Sequence, residues 1–220
     1  MAAEKTQAAQ DPTKAFYDRI SKAYDMISDS SEHTARERGL ELLAADRGEN
    51  VLVIGFGTGH SVVALGKSVG PTGQVFGVDV SEGMLDVAKK RLVEESVPAK
   101  VELSLGDARA MKYADGQFDA VFISFTLELF EADDIQTVLG EIRRVLRPGG
   151  RLGVVSLSRE EHLNVAAEIY IWLHRHFPHF IDCQPIPVVE HVLRGGFIVD
   201  KSEKMSIWGL PVAIVAAHAS

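Results

Sequence analysis

The chain has 220 residues, with 31 acidic and 23 basic side chains, a formal net charge of −8 and one cysteine, Cys183. That length suits one domain with a substantial core, and the acidic balance opposes nonspecific nucleic-acid binding, which depends on neutralising phosphates with Lys and Arg. A lone cysteine excludes an internal disulfide and fits a reducing cytosol.

Met1 to Gln10 is polar and Ala-rich without the apolar centre of a secretory signal. It reads as a flexible tail over 1–12, followed by a single domain over 13–220. No apolar run is long enough to cross a bilayer, so the expectation is a soluble, cytoplasmic protein without stable membrane insertion, either monomer or homodimer. Pro12 to Ile27 and Thr34 to Ala45 carry helical periodicity, with Phe16, Ile20, Tyr24 and Ile27 on one stripe and Leu40, Leu42 and Leu43 on another. This helical pair either caps a sheet or folds over its ligand crevice.

From there the pattern alternates. Strands are predicted near 50–54, 74–78, 100–105, 118–124 and 151–157, and helices near 59–69, 81–95 and 132–146, which implies a parallel sheet covered on both faces. Ser81 reads as an N-cap. The cluster Arg143, Arg144 and Arg147 closes a helix, where cations complement the dipole, and reads as structural. Beyond Leu157 an aromatic-rich helix is predicted over 160–177 and a short one over Val188 to Arg194. Two closing strands follow, Phe197–Ser202 and Ile207–Ala217, interrupted at Gly209-Leu210-Pro211.

The run Val51-Leu52-Val53-Ile54-Gly55-Phe56-Gly57-Thr58-Gly59 is a short apolar strand feeding a turn with glycine at every second position. Such a turn lets the backbone take positive φ or lie against a ligand, and the following helix offers unpaired N–H groups. The dinucleotide fingerprint needs a small residue where this chain has His60, so the loop departs from the nicotinamide type. The second strand ends at Asp79, where a carboxylate can accept both hydroxyls of an adenosine ribose. A third strand ends in Gly106-Asp107-Ala108, a fourth in Ser124, and the series closes on Arg147-Pro148-Gly149-Gly150.

Taken together, these motifs, in this order and at these intervals over roughly residues 14–217, resemble the class I S-adenosylmethionine-dependent methyltransferases. Tyr17-Asp18, Tyr24-Asp25, Ser124 to Leu129 and the Arg147-Pro148-Gly149-Gly150 turn look most like the branch containing the ubiquinone and menaquinone methyltransferases. The resemblance implies a seven-stranded, mostly parallel Rossmann-like α/β sheet with its last strand antiparallel, helices on both faces and an N-terminal helical cap. It implies S-adenosylmethionine as cofactor and transfer of a methyl group to a small, apolar or aromatic acceptor.

By that resemblance Gly55, Gly57 and Gly59 allow backbone approach to the cofactor with the following helix N-terminus near its methionyl carboxylate, Asp79 binds the ribose, Met84 packs on the adenine, and Val80 is a further cofactor contact. Asp107 accepts from the adenine amino group with Ala108 beside the ring, and Tyr24 and Ser124 complete the cofactor contacts. Phe125 and Tyr170 would face the acceptor. Val53 stands where the family usually has an acidic residue, and no base is obvious. Glu128 is the weak candidate, with His33, His60 and His162 behind it. A non-catalytic cofactor-binding module and a non-methylating enzyme of this fold therefore stay open as alternatives. The passage Tyr170 to Phe180, aromatic and rich in His, reads as a lid over an apolar pocket or a patch packed on the sheet rather than a metal site, because Pro178 breaks helical ligand spacing.

Overall fold

The computed structural model describes residues 29–159, 185–207 and 209–220. The N-terminal tail, Tyr24, the predicted helices over Pro12 to Ile27 and 160–177, and the His-rich passage lie outside them.

The described elements run α1 (Asp29–Leu43), β1 (Asn50–Ile54), α2 (His60–Val69), β2 (Gln74–Asp79), α3 (Glu82–Glu94), β3 (Lys100–Leu105), β4 (Phe118–Ser124), α4 (Ala132–Val145), β5 (Leu146–Leu157), α5 (Val188–Arg194), β6 (Phe197–Ile207) and β7 (Leu210–Ala219). They form a seven-stranded sheet of order β3-β2-β1-β4-β5-β7-β6, with β7 antiparallel to both neighbours and the other pairs parallel. This is the mixed sheet of the class I methyltransferase fold.

Alternation along β1 explains the layering. Val51 and Val53 pack with Ala35, Val62, Leu65, Met84 and Ala88 on the face covered by α1, α2 and α3. Leu52 and Ile54 point the other way, toward Ile135, Leu139, Ile142 and Val192 of α4 and α5. Both faces of the strand are buried, so it reads as a continuous apolar run. Ser81 caps α3 by accepting a hydrogen bond from the Met84 N–H at 3.2 Å. Two of the three clustered arginines make structural ion pairs: Arg144 with Glu141 and Asp115, and Arg147 with Asp119.

Several boundaries differ from the sequence expectation, among them the start of α1, at Asp29 rather than Thr34. Strand β5 begins at Leu146, because the Pro148-Gly149-Gly150 segment shifts register between Phe118↔Leu146 and Ala120↔Arg151. Strand β6 runs five residues past Ser202, from Glu203 to Ile207, because it borders only β7 and can turn charged side chains to water along the sheet edge. Strand β7 starts at Leu210, directly after the Gly209 turn.

Helix α1 reaches the sheet through Gly39. A Cβ there would come within 2.3 Å of Val155 Cγ2 and about 3.1 Å of the Phe122 ring. Gly39→Leu should therefore overpack this contact and cost about 1–3 kcal/mol, read as a lower midpoint in thermal unfolding.

Candidate active site

Strands β1 and β4 lie side by side, yet the chain leaves β1 toward β2 on one flank and returns to β4 on the other. Loops diverging at such a reversal open a crevice at the strands' carboxyl ends. A cavity of about 550 Å³ occupies that position, lined from β1, β2, the β3–β4 turn, the end of β4 and helix α1.

The glycine loop forms its floor. Gly55 (φ 64°) and Gly57 (φ 49°) take left-handed backbone conformations that side-chain-bearing residues rarely adopt. A Cβ on Gly55 would strike Thr126 Oγ1 at 2.2 Å, whereas one on Gly57 would meet nothing within 4 Å and would project into open space. Asp79 holds this loop in place. Its Oδ2 accepts the Gly57 N–H at 2.9 Å, and its Oδ1 accepts the Ser81 N–H at 3.0 Å, tying the turn after β1 to the turn after β2. Met84, 2% exposed, rises from α3 beside them.

Beyond β3, Asp107 is gripped by Arg109. The guanidinium donates to both carboxylate oxygens at 2.7–3.0 Å, the Arg109 N–H donates to Oδ1 at 2.8 Å, and Arg109 Nη1 continues to Asp134 Oδ2 at 2.6 Å in the first turn of α4. These bonds hold the Asp107 carboxyl below the usual carboxylate range, the Arg109 side chain being the main cause. Asp107 is thus a turn former with a cationic partner, and not a helix cap.

Past β4 the wall becomes apolar. Phe125 has φ 49°, a strained conformation for a large side chain, fixed by its N–H bond to the Val155 carbonyl at 2.8 Å. Phe125, Leu129 and Phe130 line this end of the cavity, and Ser124 Oγ sits buried in the wall with no hydrogen-bond partner among the described residues.

Of the residues singled out in the sequence, Gly55, Gly57, Asp79, Val80, Met84, Asp107, Ala108, Ser124 and Phe125 all line this cavity. Gly59 does not. It is the N-cap of α2, and a Cβ there would come within 3.0 Å of Ala88, so its absent side chain serves the packing of α2 on α3. Tyr24, Tyr170 and His162 lie outside the described residues. His60 lines the cavity, while His33 is exposed beside Glu37. Sequence reasoning missed Glu32, Arg36, Arg109 and Asp134, which reach the cavity through tertiary approach; only the adjacency of Arg109 to Asp107 carried a signal.

Residues 4–182 match the model of the ubiE/COQ5 methyltransferase family. The chain belongs to that family. Among curated relatives, the demethylmenaquinone methyltransferase of Lactobacillus johnsonii is 34% identical over 178 residues, covering 77% of this chain and 71% of its own. Among solved structures, the cyclase SpnF superposes with a TM-score of 0.75 at 18% identity, covering 94% of each chain. An S-adenosylmethionine-dependent methyltransferase from Aquifex aeolicus does so with 0.68 at 22%, covering 96% of this chain and 100% of its own. The two superpositions speak for the fold; family membership makes this protein an S-adenosylmethionine-dependent methyltransferase. The residues present fit that cofactor: a side-chain-free cradle at Gly57, a carboxylate at the end of β2 and a buried hydroxyl, Ser124 Oγ, turned to the cavity wall.

Glu128 requires a correction. It is 2% exposed on the short 3₁₀ turn Leu127–Leu129 and does not line the cavity. Its Oε2 accepts from the Ser156 hydroxyl at 3.0 Å and its Oε1 from the Leu157 N–H at 3.1 Å, so it fastens the turn carrying the apolar wall to the end of β5. A base must reach the proton it removes, and this carboxyl is turned inward. Burial pushes its pKa up to about 7. Between the ordinary carboxylate range and that value the folded chain holds a proton that the unfolded chain has released. The stability this contributes is complete at low pH and lost as pH rises through about 7. Thermal melts of wild type and Glu128→Gln across pH 4.5–8.5 should show wild type losing stability relative to the variant as pH rises through about 7; parallel curves would contradict the assignment.

Proposed function

We propose that this methyltransferase acts on the reduced, quinol-type ring of a small aromatic acceptor, with the adenosine of S-adenosylmethionine over Asp79, Val80, Met84, Asp107 and Ala108 and the methyl group directed toward Ser124 and Phe125. The observation that carries the reading is a single cavity joining a glycine-and-carboxylate half to an apolar, aromatic half at Phe125, Leu129 and Phe130. The Lactobacillus johnsonii relative, named for demethylmenaquinone, supports the same acceptor class.

S-adenosylmethionine supplies a methyl group on a positively charged sulfur; the acceptor's electron pair forms the new bond, the C–S pair leaves with the thioether, and the acceptor gives up one proton. The chain's residues contribute alignment and exclusion of water. Gly55 and Gly57 bring the backbone to the cofactor without side-chain obstruction. Asp79 takes the ribose hydroxyls while its bonds to Gly57 and Ser81 keep the loop in shape, a carboxylate having room for about four donors. Asp107, ionised beside Arg109, accepts from the adenine amino group. Phe125 presents its ring to the acceptor. An electron-rich quinol has the nucleophilic pair this displacement needs, whereas the oxidised quinone lacks it.

The test is a methyl-transfer assay with reduced and oxidised demethylated naphthoquinones, reading S-adenosylhomocysteine and methylated product together. One-to-one formation with the reduced ring and none with the oxidised ring is expected. Cofactor consumption without methylated product, or tight cofactor binding without turnover of any reduced ring, would overturn it. Phe125→Leu should raise the acceptor KM several-fold and leave the S-adenosylhomocysteine Kd unchanged. Asp79→Asn should weaken S-adenosylhomocysteine binding by at least about tenfold in calorimetry.

A further inference from the structure

The cofactor's two ends differ chemically: adenosine at one, an amino acid with an ammonium and a carboxylate at the other. Sheet order places them. Asp79, Met84 and Asp107 belong to the β2–β3 flank of β1, so a molecule with its adenosine there extends across β1 toward β4. On that second flank the described strand ends carry no charge, and the turn into α4 adds only acidic groups, Glu131 and the Arg109-bound Asp134. Val53 is apolar, Gly55 and Gly57 offer backbone only, and Ser124 and Thr126 are neutral.

Opposite charges arrive from above. Helix α1 packs along β4, β5 and β7 and against α2, and two of its residues, Glu32 and Arg36, line the cavity. They stand four apart, on one helical face. Arg36 is only 8% exposed, so its fixed charge is held close to the cavity rather than out in solvent. Arg109 binds Asp107 and Asp134 at the adenosine end.

We infer that Glu32 and Arg36 read the amino-acid end of the cofactor, the Arg36 guanidinium meeting its carboxylate and the Glu32 carboxylate its ammonium. A guanidinium matches a carboxylate through paired N–H donors, and charge-assisted bonds of this kind discriminate strongly against a ligand that lacks the partner group. The pair thus takes the part that Val53, with no polar atom in its side chain, cannot perform. Because both residues sit on α1, the same contact ties the position of this helix to the bound cofactor. The inference rests on the reading that places adenosine at Asp79.

Calorimetric titrations with three probes separate the two: S-adenosylhomocysteine, 5′-methylthioadenosine, which lacks the amino-acid end, and the decarboxylated homocysteine analogue. Wild type should prefer S-adenosylhomocysteine over methylthioadenosine by at least about tenfold. Glu32→Gln and Arg36→Gln should each reduce that preference several-fold and leave methylthioadenosine affinity unchanged, and Arg36→Gln should no longer distinguish the decarboxylated analogue. Asp79→Asn should weaken all three probes together. A wild-type preference that survives both substitutions overturns the inference, as does a parallel loss of methylthioadenosine binding, which would mark a purely structural role for α1. Asp79→Asn leaving every affinity unchanged overturns the adenosine placement instead. If Arg36→Gln does not fold, Glu32→Gln, at a less buried position, decides.

Discussion

One carboxylate shapes this site. Asp79 closes the second parallel strand and accepts the Gly57 and Ser81 N–H groups, one from each of two neighbouring turns. Without an acceptor at that point, two backbone donors in a crowded turn region would compete for water, and the glycine loop would lose the constraint that keeps Gly57 in its left-handed conformation. The strand order makes this bond possible, since β1 and β2 are adjacent and in register through Ile54↔Val78, which brings both turns to the same height. The flexibility that glycine introduces is removed by a carboxylate that also lines the cavity.

The same economy of placement recurs on the other flank. Phe125 is held with positive φ by a backbone bond to Val155, Thr126 fills the space above Gly55, and Glu128 fastens the turn to Ser156 and Leu157. A buried carboxyl titrating near 7 is an expensive fastening, because desolvation opposes its charged form. Its place directly behind the aromatic wall gives that cost a purpose: the wall's geometry is fixed by side chains that do not themselves enter the cavity.

The core strands and the glycine loop were legible in sequence because each is local. Val51 to Ile54 is buried on both faces and punctuated by Gly55, and Asp79 follows its own strand, so periodicity and a strand-terminal carboxylate mark them without reference to the rest of the chain. The edge was less legible. Lys201, Glu203 and Lys204 look like the end of a strand but lie inside β6, where Glu203 is bound by Arg38 of α1 and the pairing is supplied by a hairpin partner across Gly209. Glu32, Arg36 and Asp134 could not be read as cavity residues, since nothing in a helical charge pattern says which face a sheet will meet. Glu128 illustrates the converse: an acidic residue in the right stretch, turned inward by contacts with β5 that only the folded chain reveals.

The most direct test of this account is a crystal structure of the protein with S-adenosylhomocysteine. It should place the ribose hydroxyls on Asp79, the adenine between Met84 and Asp107, and the thioether sulfur facing the Ser124–Phe125 wall. A nucleoside bound elsewhere, or one lying in the reverse direction with its adenine against α1, would contradict the account at its root.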